Sequence, residues 1–496
     1  MEMTPRSDSA WFAPLAVLLL VLHGAFVLVD PAGWVSDPGV GWHLKSGEIL
    51  VETQRLPVED LFSFTQPGKE WINYQWGFHV FLGLLDKCGG LSSVVALCSL
   101  LYVLPVLWTL RRMLAEGAGP VAALLLAMAV WAVMMQHTYA RPHLFTYLFF
   151  AAYLGILHRA WEGAEQSWRG LLWIPGLMLL WCNLHGGFTA GLALLGLYTG
   201  AAVLEVCNRP SASVDTRKRA LWWAALFTTT VLASLANPYG WRLHLHILEF
   251  LFGSGGRRTH EFLPVWQHSS ASVVVFWILV AAWVTALLRG RRSFSWAEQI
   301  SGVFFLVYAV SAVRHIVLFA LLSAPLIARI FAGRPLPWPW PSPPWGRPGA
   351  WAIGALVVLV WMTMPFWHPR DWPSDLVGLN LGPKSAAVLD ARVAELVPVF
   401  NSDRVGGALI QRYHPGLRVF MDDRTDFYDG TFIEEVYLAT QDAREGWPGT
   451  LDRYGIRGVV LKTGTALGRE LRLRADWRLL AEDPQSEVFG RIGPVP

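Results

Sequence analysis

Long apolar runs separated by short polar connections fill the first three quarters of the chain. A helix needs roughly 20 apolar residues to cross the hydrocarbon core of a bilayer. Runs that approach this length lie at residues 11–29, 91–110, 119–136, 143–158, 170–183, 188–206, 220–236, 271–288, 297–313, 315–332 and 349–367. The pattern predicts a polytopic α-helical membrane protein with about 11 transmembrane helices. Because the first run lacks a small-residue cleavage site, we expect it to be a retained helix rather than a signal peptide.

Basic residues concentrate in alternate connections between these runs. With the N-terminus in the cytoplasm, the inner connections carry Arg111, Arg112, Arg159, Arg169, Arg209, Arg217, Lys218, Arg219, Arg289, Arg291, Arg292, Arg334 and Arg347. Short cytoplasmic loops of membrane proteins carry an excess of Lys and Arg. We therefore expect a multi-pass protein of the bacterial cytoplasmic (inner) membrane, with everything after Trp367 on the extracytoplasmic side.

The chain changes character beyond its last apolar runs. Proline blocks helix formation across residues 336–348 (LPWPWPSPPWGRP), which we interpret as an inner linker, with a polyproline recognition motif as the alternative. Short strands are predicted after residue 368 at Pro398–Asn401, Arg418–Met421, Gly458–Leu461 and Trp477–Ala481. Helices are predicted near 384–396, 431–443 and 465–474. The domains expected are thus a membrane core at 1–335 with an outer loop at 30–75, a last membrane helix at 349–367, and a small extracytoplasmic α/β domain at 368–496.

Composition narrows the functional classes. Hydrophobic residues make up 54% of the chain and charged residues only 16%, and the net charge is +3. Such a balance does not suggest nucleic acid as a partner. The four cysteines lack paired metal-ligand spacing, so neither a disulfide framework nor a zinc site is expected.

Polar residues at the ends of the apolar runs gather on the predicted outer side. They are Asp37, His43, Asp60, Trp76, Arg141, His143, Asn183, His185, His260, Glu261, Arg314 and His315. Ionisable groups at membrane helix ends are costly unless they face a cavity or a partner, so they are functional candidates by default. In the first outer loop, Asp37-Pro38-Gly39 predicts a turn and Trp42–Glu52 an amphipathic interfacial helix.

An acidic residue soon after the first membrane helix, in a long outer loop with an interfacial helix and before an outer soluble domain, resembles the GT-C superfamily. The WHLKSGEIL and LPVEDLFSFT segments, Asn183-Leu184-His185-Gly186-Gly187 and Asn237-Pro238-Tyr239-Gly240 also resemble bacterial membrane proteins of that general type. GT-C members such as protein O-mannosyltransferases use polyprenyl-phosphate sugars as donors. The resemblance implies an inverting glycosyltransferase with Asp37 as the base. The chain departs from the family pattern because Pro38 follows Asp37, where an Asp-Glu or Asp-Asp pair is usual.

Sugar transfer of this kind needs a base for the acceptor hydroxyl and cations for the departing phosphate. The catalytic candidates are Asp37, His43 and Asp60. Arginine binds phosphate oxygens as a bidentate fork, and the candidates for holding the donor phosphate are Arg141, His143, Arg314 and His315. The candidates for binding substrate are Trp76, Asn183, His185, His260 and Glu261. The alternatives are a helix cap for Asp37, contacts with lipid headgroups for the arginines, and a plain reverse turn at 183–187.

Two further interpretations stay open at this point. Nitrogen and oxygen ligands for a divalent cation could come from His43, Asp60, His185, His260 and Glu261, although their spacing in the sequence matches no known metal-binding motif. The alternative is that the histidines form hydrogen bonds and bind no metal. Met421-Asp422-Asp423-Arg424-Thr425-Asp426 predicts a salt-bridged loop that contacts the acceptor or the membrane domain.

The expected partners are a polyprenyl-phosphate-linked sugar donor, membrane lipids, and an acceptor that is a saccharide, a lipid or a protein. Two other functional classes compete with a glycosyltransferase. One is a lipid or saccharide transporter, which would be expected to carry ionisable groups near the midplane and inverted repeats. The other is a non-catalytic protein for surface polysaccharide assembly.

The charge pattern makes a testable prediction about topology. A reporter enzyme that is active only outside the cytoplasm should be active when it is fused after Pro496, because the basic inner connections predict an extracytoplasmic C-terminal domain. Alkaline phosphatase activity in the fusion, compared with a fusion at Arg111, measures this. A cytoplasmic signal from the Pro496 fusion would contradict the predicted orientation of the whole polar cluster.

Overall fold

The computed structural model describes residues 8–162, 168–208, 213–252, 260–290, 294–331, 346–367 and 372–493. Most of the predicted inner linker at 336–348 lies outside these residues, as do Arg209, Arg291, Arg292 and Arg334. The last three linker positions belong to a helix.

Every predicted apolar run coincides with a helix. The helices of the first part are α1 (Asp8–Val29), α2 (Gly39–Thr53), α3 (Trp76–Ala115), α4 (Pro120–Met134), α5 (His143–Trp161), α6 (Trp168–Leu184), α7 (Phe188–Cys207), α8 (Val214–Ser234), α9 (Trp241–Phe252), α10 (Ala271–Gly290), α11 (Trp296–Ser311), α12 (Ile316–Ala328) and α13 (Gly346–Trp367). Among the described residues, four helices are long and apolar enough to cross a membrane, namely α1, α3, α7 and α10. Shorter apolar helices accompany them. The multi-pass membrane fold is confirmed, and the count of eleven spans stays a prediction.

Helix α3 is longer than the predicted span because its first turns lie outside the apolar run. It bends at Gly89 and Gly90, and Gly90 adopts a left-handed backbone with φ of 64°. The arm before the bend packs along α2. A Cβ atom at Gly47 of α2 would overlap the backbone of this arm at His79 and Gly83, so the close crossing requires glycine.

The helix ends that the charge pattern places on the inner side meet in a buried ion network. Arg329, just after α12, contacts Glu116 at 2.8 Å and Glu298 of α11 at 2.6 Å. Arg112 of α3 pairs with Glu116 at 2.8 Å, and His158 of α5 lies 3.3 Å from Glu298. Helices α3, α5, α11 and α12 therefore have the relative directions that the alternating topology predicts.

The C-terminal part is the expected small α/β domain. Its elements are α14 (Pro383–Leu396), β1 (Val399–Asn401), α15 (Asp403–Tyr413), a π-helical turn (Phe432–Leu438), α16 (Ala439–Gln441), α17 (Trp447–Arg453), β2 (Gly458–Lys462), α18 (Ala466–Leu473), β3 (Trp477–Glu482) and β4 (Ser486–Arg491). The sheet order is β1-β2-β4-β3. β1 is parallel to β2, and the other two pairings are antiparallel.

The predicted strand at Arg418–Met421 is wrong. The segment does not join the sheet, and it pairs instead with the outer loop of the membrane domain. The Val419 amide donates to the Phe62 carbonyl at 2.9 Å, and the Phe64 amide donates to the Val419 carbonyl at 3.1 Å. The apolar pattern of residues 418–421 is typical of a strand. The segment does pair with another extended segment, but that partner belongs to the membrane domain.

The helix predicted at Trp42–Glu52 exists as α2, and it lies between the two domains. One side packs on α3 and the other on α15. A Cβ atom at Gly41 would overlap the Gly407 carbonyl of α15, and one at Gly407 would overlap the Pro38 carbonyl. Two glycines thus allow the backbones of α2 and α15 to touch.

A buried arginine fastens the outer loop to the C-terminal domain. Arg424 donates to Asp60 at 2.8 Å and to Asp422 at 2.7 Å, and the three side chains are almost inaccessible. Trp71 and Phe427 cover the guanidinium at 4.8 Å each. We call Asp60, Asp422 and Arg424 the clasp.

Breaking the clasp should loosen the two domains. Arg424→Ala leaves two buried carboxylates without a cation, so we expect a loss of about 3–5 kcal/mol in the free energy of unfolding. The matched control is Arg444→Ala, which removes the exposed pair with Asp442 in the same domain and should cost below about 1 kcal/mol. Unfolding of the purified full chain followed by intrinsic tryptophan fluorescence measures both. Equal losses would contradict the clasp.

Candidate active site

Two carboxylates share one guanidinium where the outer loop, the α4–α5 connection and the C-terminal domain meet. Arg141 Nε donates to Asp37 Oδ1 at 2.6 Å, and Arg141 Nη2 donates to Asp423 Oδ2. Asp37 Oδ1 also accepts the Gly39 amide hydrogen at 2.8 Å, whereas Asp37 Oδ2 has no partner among the described residues. One oxygen of Asp37 is held and the other is available, which is the geometry of a positioned base.

Helix α2 supplies the room and a further bond for this group. A Cβ atom at Gly39 would overlap the Arg141 guanidinium and crowd the Asp423 carboxylate, so the contact requires glycine. The Trp42 indole donates to Asp423 Oδ1 at 2.6 Å. Burial and the charges of Asp37 and Asp422 raise the pKa of Asp423 to about 7, against the opposing effect of Arg141.

A second charged group comes from the connections before α10 and α12. Arg314 lies 3.6 Å from Glu261, and its guanidinium covers the Phe262 ring at 4.4 Å. Burial acts to raise the pKa of Glu261, but the Arg314 charge, with help from Arg141, outweighs it and holds the pKa at about 2. The Arg314 side chain is 25% exposed and its carboxylate contact is long, so the guanidinium can take a further anionic partner.

The two charged groups belong to one site. Burial lowers the pKa of His185 to about 3, and the charges of both Arg314 and Arg141 act in the same direction. The Arg141 charge also reaches Glu261. Side chains from widely separated parts of the chain are thus brought within electrostatic reach of one another on the predicted outer side.

The hydrogen bonds of His185 define which ring nitrogen carries the hydrogen. Its Nδ1 accepts the Gly187 amide hydrogen at 3.2 Å and lies 2.7 Å from the Thr146 hydroxyl. Because a backbone amide only donates, Nδ1 is the unprotonated nitrogen and the neutral ring carries its hydrogen on Nε2. The Asn183–Gly187 turn therefore both reverses the chain and fixes the histidine tautomer.

The other two predicted phosphate ligands have different partners. His143 Nε2 lies 3.2 Å from the His137 carbonyl, and His315 Nδ1 lies 3.2 Å from the Tyr308 carbonyl. A carbonyl oxygen only accepts hydrogen bonds, so the N–H group of each neutral ring donates to a backbone carbonyl. His315 also stacks on Tyr308 with ring centroids 3.7 Å apart.

Three further predicted site residues pack between helices or join them by hydrogen bonds. His43 is buried between α2 and α3, against the Phe78 ring. The Trp76 indole donates to Asn183 Oδ1 at 2.9 Å, and the Asn183 amide donates to the Ala236 carbonyl at 3.0 Å.

Asp60 and His260 have partners other than Asp37 and Arg141. The Asp60 oxygens accept hydrogens from the Phe62 amide, the Ser63 amide, the Ser63 hydroxyl and Arg424. Four donors fill the lone-pair positions of a carboxylate, so Asp60 serves the clasp. His260 packs edge-on against His268, with ring centroids 5.5 Å apart. Over the part of the chain that the structure describes, no three His, Cys, Asp or Glu side chains are arranged to hold a metal ion.

Asp423 is a site residue that was not predicted from the sequence. The salt-bridged loop predicted at residues 421–426 is observed for Asp422 and Arg424. Asp423 points the other way, since adjacent side chains diverge. The sequence carries one signal that distinguishes Asp423 from Asp422. The loop has two adjacent carboxylates beside a single arginine, so one positive charge cannot balance both negative charges and one of the acids needs a partner elsewhere.

No protein-family model matches the sequence, and no curated protein matches it. Solved structures do. The archaeal oligosaccharyltransferase AglB from Archaeoglobus fulgidus, in complex with an inhibitory peptide and a dolichol-phosphate, matches with a TM-score of 0.58 at 10% identity, covering 91% of this chain and 69% of AglB. The apo form of the Archaeoglobus fulgidus enzyme matches with a TM-score of 0.53 at 12% identity and the same coverage.

A second kind of protein shows the same architecture. The arabinofuranosyltransferase AftD from mycobacteria matches with a TM-score of 0.54 at 16% identity. The match covers 100% of this chain and 40% of AftD. The chain shares the fold of these glycosyltransferases. This confirms the fold that the sequence resemblance implied, whereas the side of the membrane on which Asp37, Arg141 and Arg314 lie stays a prediction.

Proposed function

We propose that this GT-C protein is an inverting glycosyltransferase that moves a sugar from a polyprenyl-phosphate donor to an acceptor on the outer side of the cytoplasmic membrane. The fold shared with an oligosaccharyltransferase and an arabinofuranosyltransferase supports the reaction class. The AglB structure contains a dolichol-phosphate, which supports a lipid phosphate as the carrier. The acceptor is a saccharide, a lipid or a protein that reaches the outer site.

The observation that carries the proposal is the half-occupied carboxylate of Asp37. Its Oδ1 is fixed by Arg141 and the Gly39 amide, so its free Oδ2 has a defined direction. In the proposed step, Oδ2 takes the proton of the acceptor hydroxyl while that oxygen bonds to the anomeric carbon. The bond from this carbon to the phosphate oxygen breaks at the same time, and the lipid phosphate leaves. A single displacement of this kind inverts the anomeric centre.

Arg314 and His185 are the groups best placed to hold the departing phosphate. The phosphate gains negative charge as it leaves, so pre-oriented cations and N–H donors stabilise the transition state. Arg314 is partly exposed, and His185 carries its hydrogen on the unoccupied Nε2. Arg141 is already committed to two carboxylates. We therefore assign Arg141 to the orientation of Asp37 and Arg314 to the donor.

Replacement of Asp37 tests the base. Asp37→Asn keeps the shape of the side chain and removes its ability to accept the proton, so transfer should fall by at least about 100-fold. Asp30→Asn is the matched control, since Asp30 lies in the same loop and caps Gly33. Release of polyprenyl phosphate from labelled polyprenyl-phosphate sugars in proteoliposomes measures the rate. A fully active Asp37→Asn protein with a normal unfolding curve would refute the assignment of Asp37 as the base, and a wild-type protein that releases no polyprenyl phosphate would contradict the proposed function.

Replacement of Arg314 tests the phosphate site. A hydrogen bond to a charged group contributes about 1.5–3 kcal/mol, so Arg314→Ala should weaken the binding of undecaprenyl phosphate by roughly 10- to 100-fold. Arg242→Ala is the control, because Arg242 forms an exposed pair with Glu70. Titration of the lipid into protein in nanodiscs measures the affinity. Unchanged affinity in Arg314→Ala would remove this residue from the donor site.

A further inference from the structure

Asp423 comes from the C-terminal domain, but among the described residues its carboxylate accepts hydrogen bonds from the membrane domain alone. Its two oxygens accept hydrogens from the Trp42 indole of α2 and from Arg141. Its neighbours in the same loop have other tasks. Asp422 and Arg424 form the clasp, and Asp426 lies 3.2 Å from His246 of α9. Asp423 is thus the acid of this loop that reaches the candidate base.

The guanidinium of Arg141 brings the two acids side by side. Nε binds Asp37 and Nη2 binds Asp423, and these nitrogens lie on the same edge of the planar fork. One positive charge therefore serves two negative charges. The absence of a side chain at Gly39, against both Arg141 and Asp423, allows this approach.

We infer that Asp423 is a positioning residue that pairs with Asp37 across one edge of Arg141, so that the C-terminal domain helps to set the orientation of the base. The inference rests on the proposed role of Asp37. Removing Asp423 frees one half of the Arg141 fork and removes a negative charge beside the base. Undocking the C-terminal domain has the same effect, since Asp423 leaves with it.

The pair has a signature in the pH dependence of stability. The groups that face Asp423 are Asp37 and Arg141 from the membrane domain, the Trp42 indole and Asp422 of its own loop. Burial and the like charges hold the pKa of Asp423 at about 7 in the folded protein, above 3.8 for a free aspartate. The folded state therefore binds a proton that the unfolded state releases. The resulting stabilisation is full below the unfolded pKa and is lost as the pH rises through the folded pKa.

The experiment compares melting temperatures of the full chain in nanodiscs between about pH 5 and pH 8. The melting temperature of the wild type should fall as the pH rises across this window. The part of this fall that comes from Asp423 should be absent in Asp423→Asn. Asp37→Asn should move the loss to lower pH, because one of the two like charges is gone. Asp442→Asn, an exposed acid of the same domain, is the control and should follow the wild type. Asp423→Glu, which retains the charge, should restore the dependence.

Two outcomes overturn the inference. One is an Asp423→Asn protein with the wild-type pH dependence. The other is an Asp37→Asn protein whose melting temperature falls at the same pH as that of the wild type. This second comparison can be made even if Asp423→Asn does not fold. The melting experiment contains no sugar donor. A negative melting result therefore rules out the role of Asp423 and does not bear on the transfer activity, which the Asp37 assay measures. Loss of the proposed function, conversely, would leave the melting result unchanged.

Discussion

The close packing of α2 between the two domains is the constraint on which the outer face of this protein depends. Glycine at three positions of α2 lets neighbouring groups come nearer than any side chain permits. Gly47 meets the backbone of α3, Gly41 meets the backbone of α15, and Gly39 leaves space for Arg141 and Asp423. The third of these contacts is the candidate active site, so the geometry of the site follows from the geometry of the domain interface.

Hydrogen bonds within the protein offset most of the cost of burying charge at this interface. The Arg424 guanidinium lies between two carboxylates and under aromatic rings. Moving an ion out of water costs several kcal/mol, and good geometry with additional hydrogen bonds offsets this cost. Four donors satisfy the Asp60 carboxylate. Asp37 Oδ2 has no partner among the described residues, and the base role proposed for Asp37 rests on this difference.

Local signals in the sequence were sufficient for the apolar helices and for part of the small domain, but α15 and α17 were not predicted. Apolar length predicted the membrane helices, and buried apolar runs predicted β1, β2 and β3. Strand β4 was missed because charged residues interrupt its pattern; Glu487 is buried there through its pair with Arg472 at 2.6 Å. The segment at 418–421 was misassigned because its partner lies in the outer loop, which no local pattern reveals.

The sequence predicted part of the membership of the candidate site but neither Asp423 nor the pairing of its side chains. The positive-inside pattern placed Asp37, Arg141 and Arg314 on one side of the membrane. The bonds themselves join residues 104 and 282 positions apart, and the donors that saturate Asp60 could not be anticipated from residue type. The tautomers of His185 and His315 likewise depend on which backbone groups lie beside them.

The segment around Val419 has a consequence for how the small domain could be grafted. Since it completes its hydrogen bonds with the loop that follows α1, the small domain is not an independent module attached to a membrane scaffold. A graft of the domain onto another scaffold would have to carry this loop with it, although the two are far apart in the sequence. The loop and the domain therefore form one structural unit built from two distant segments.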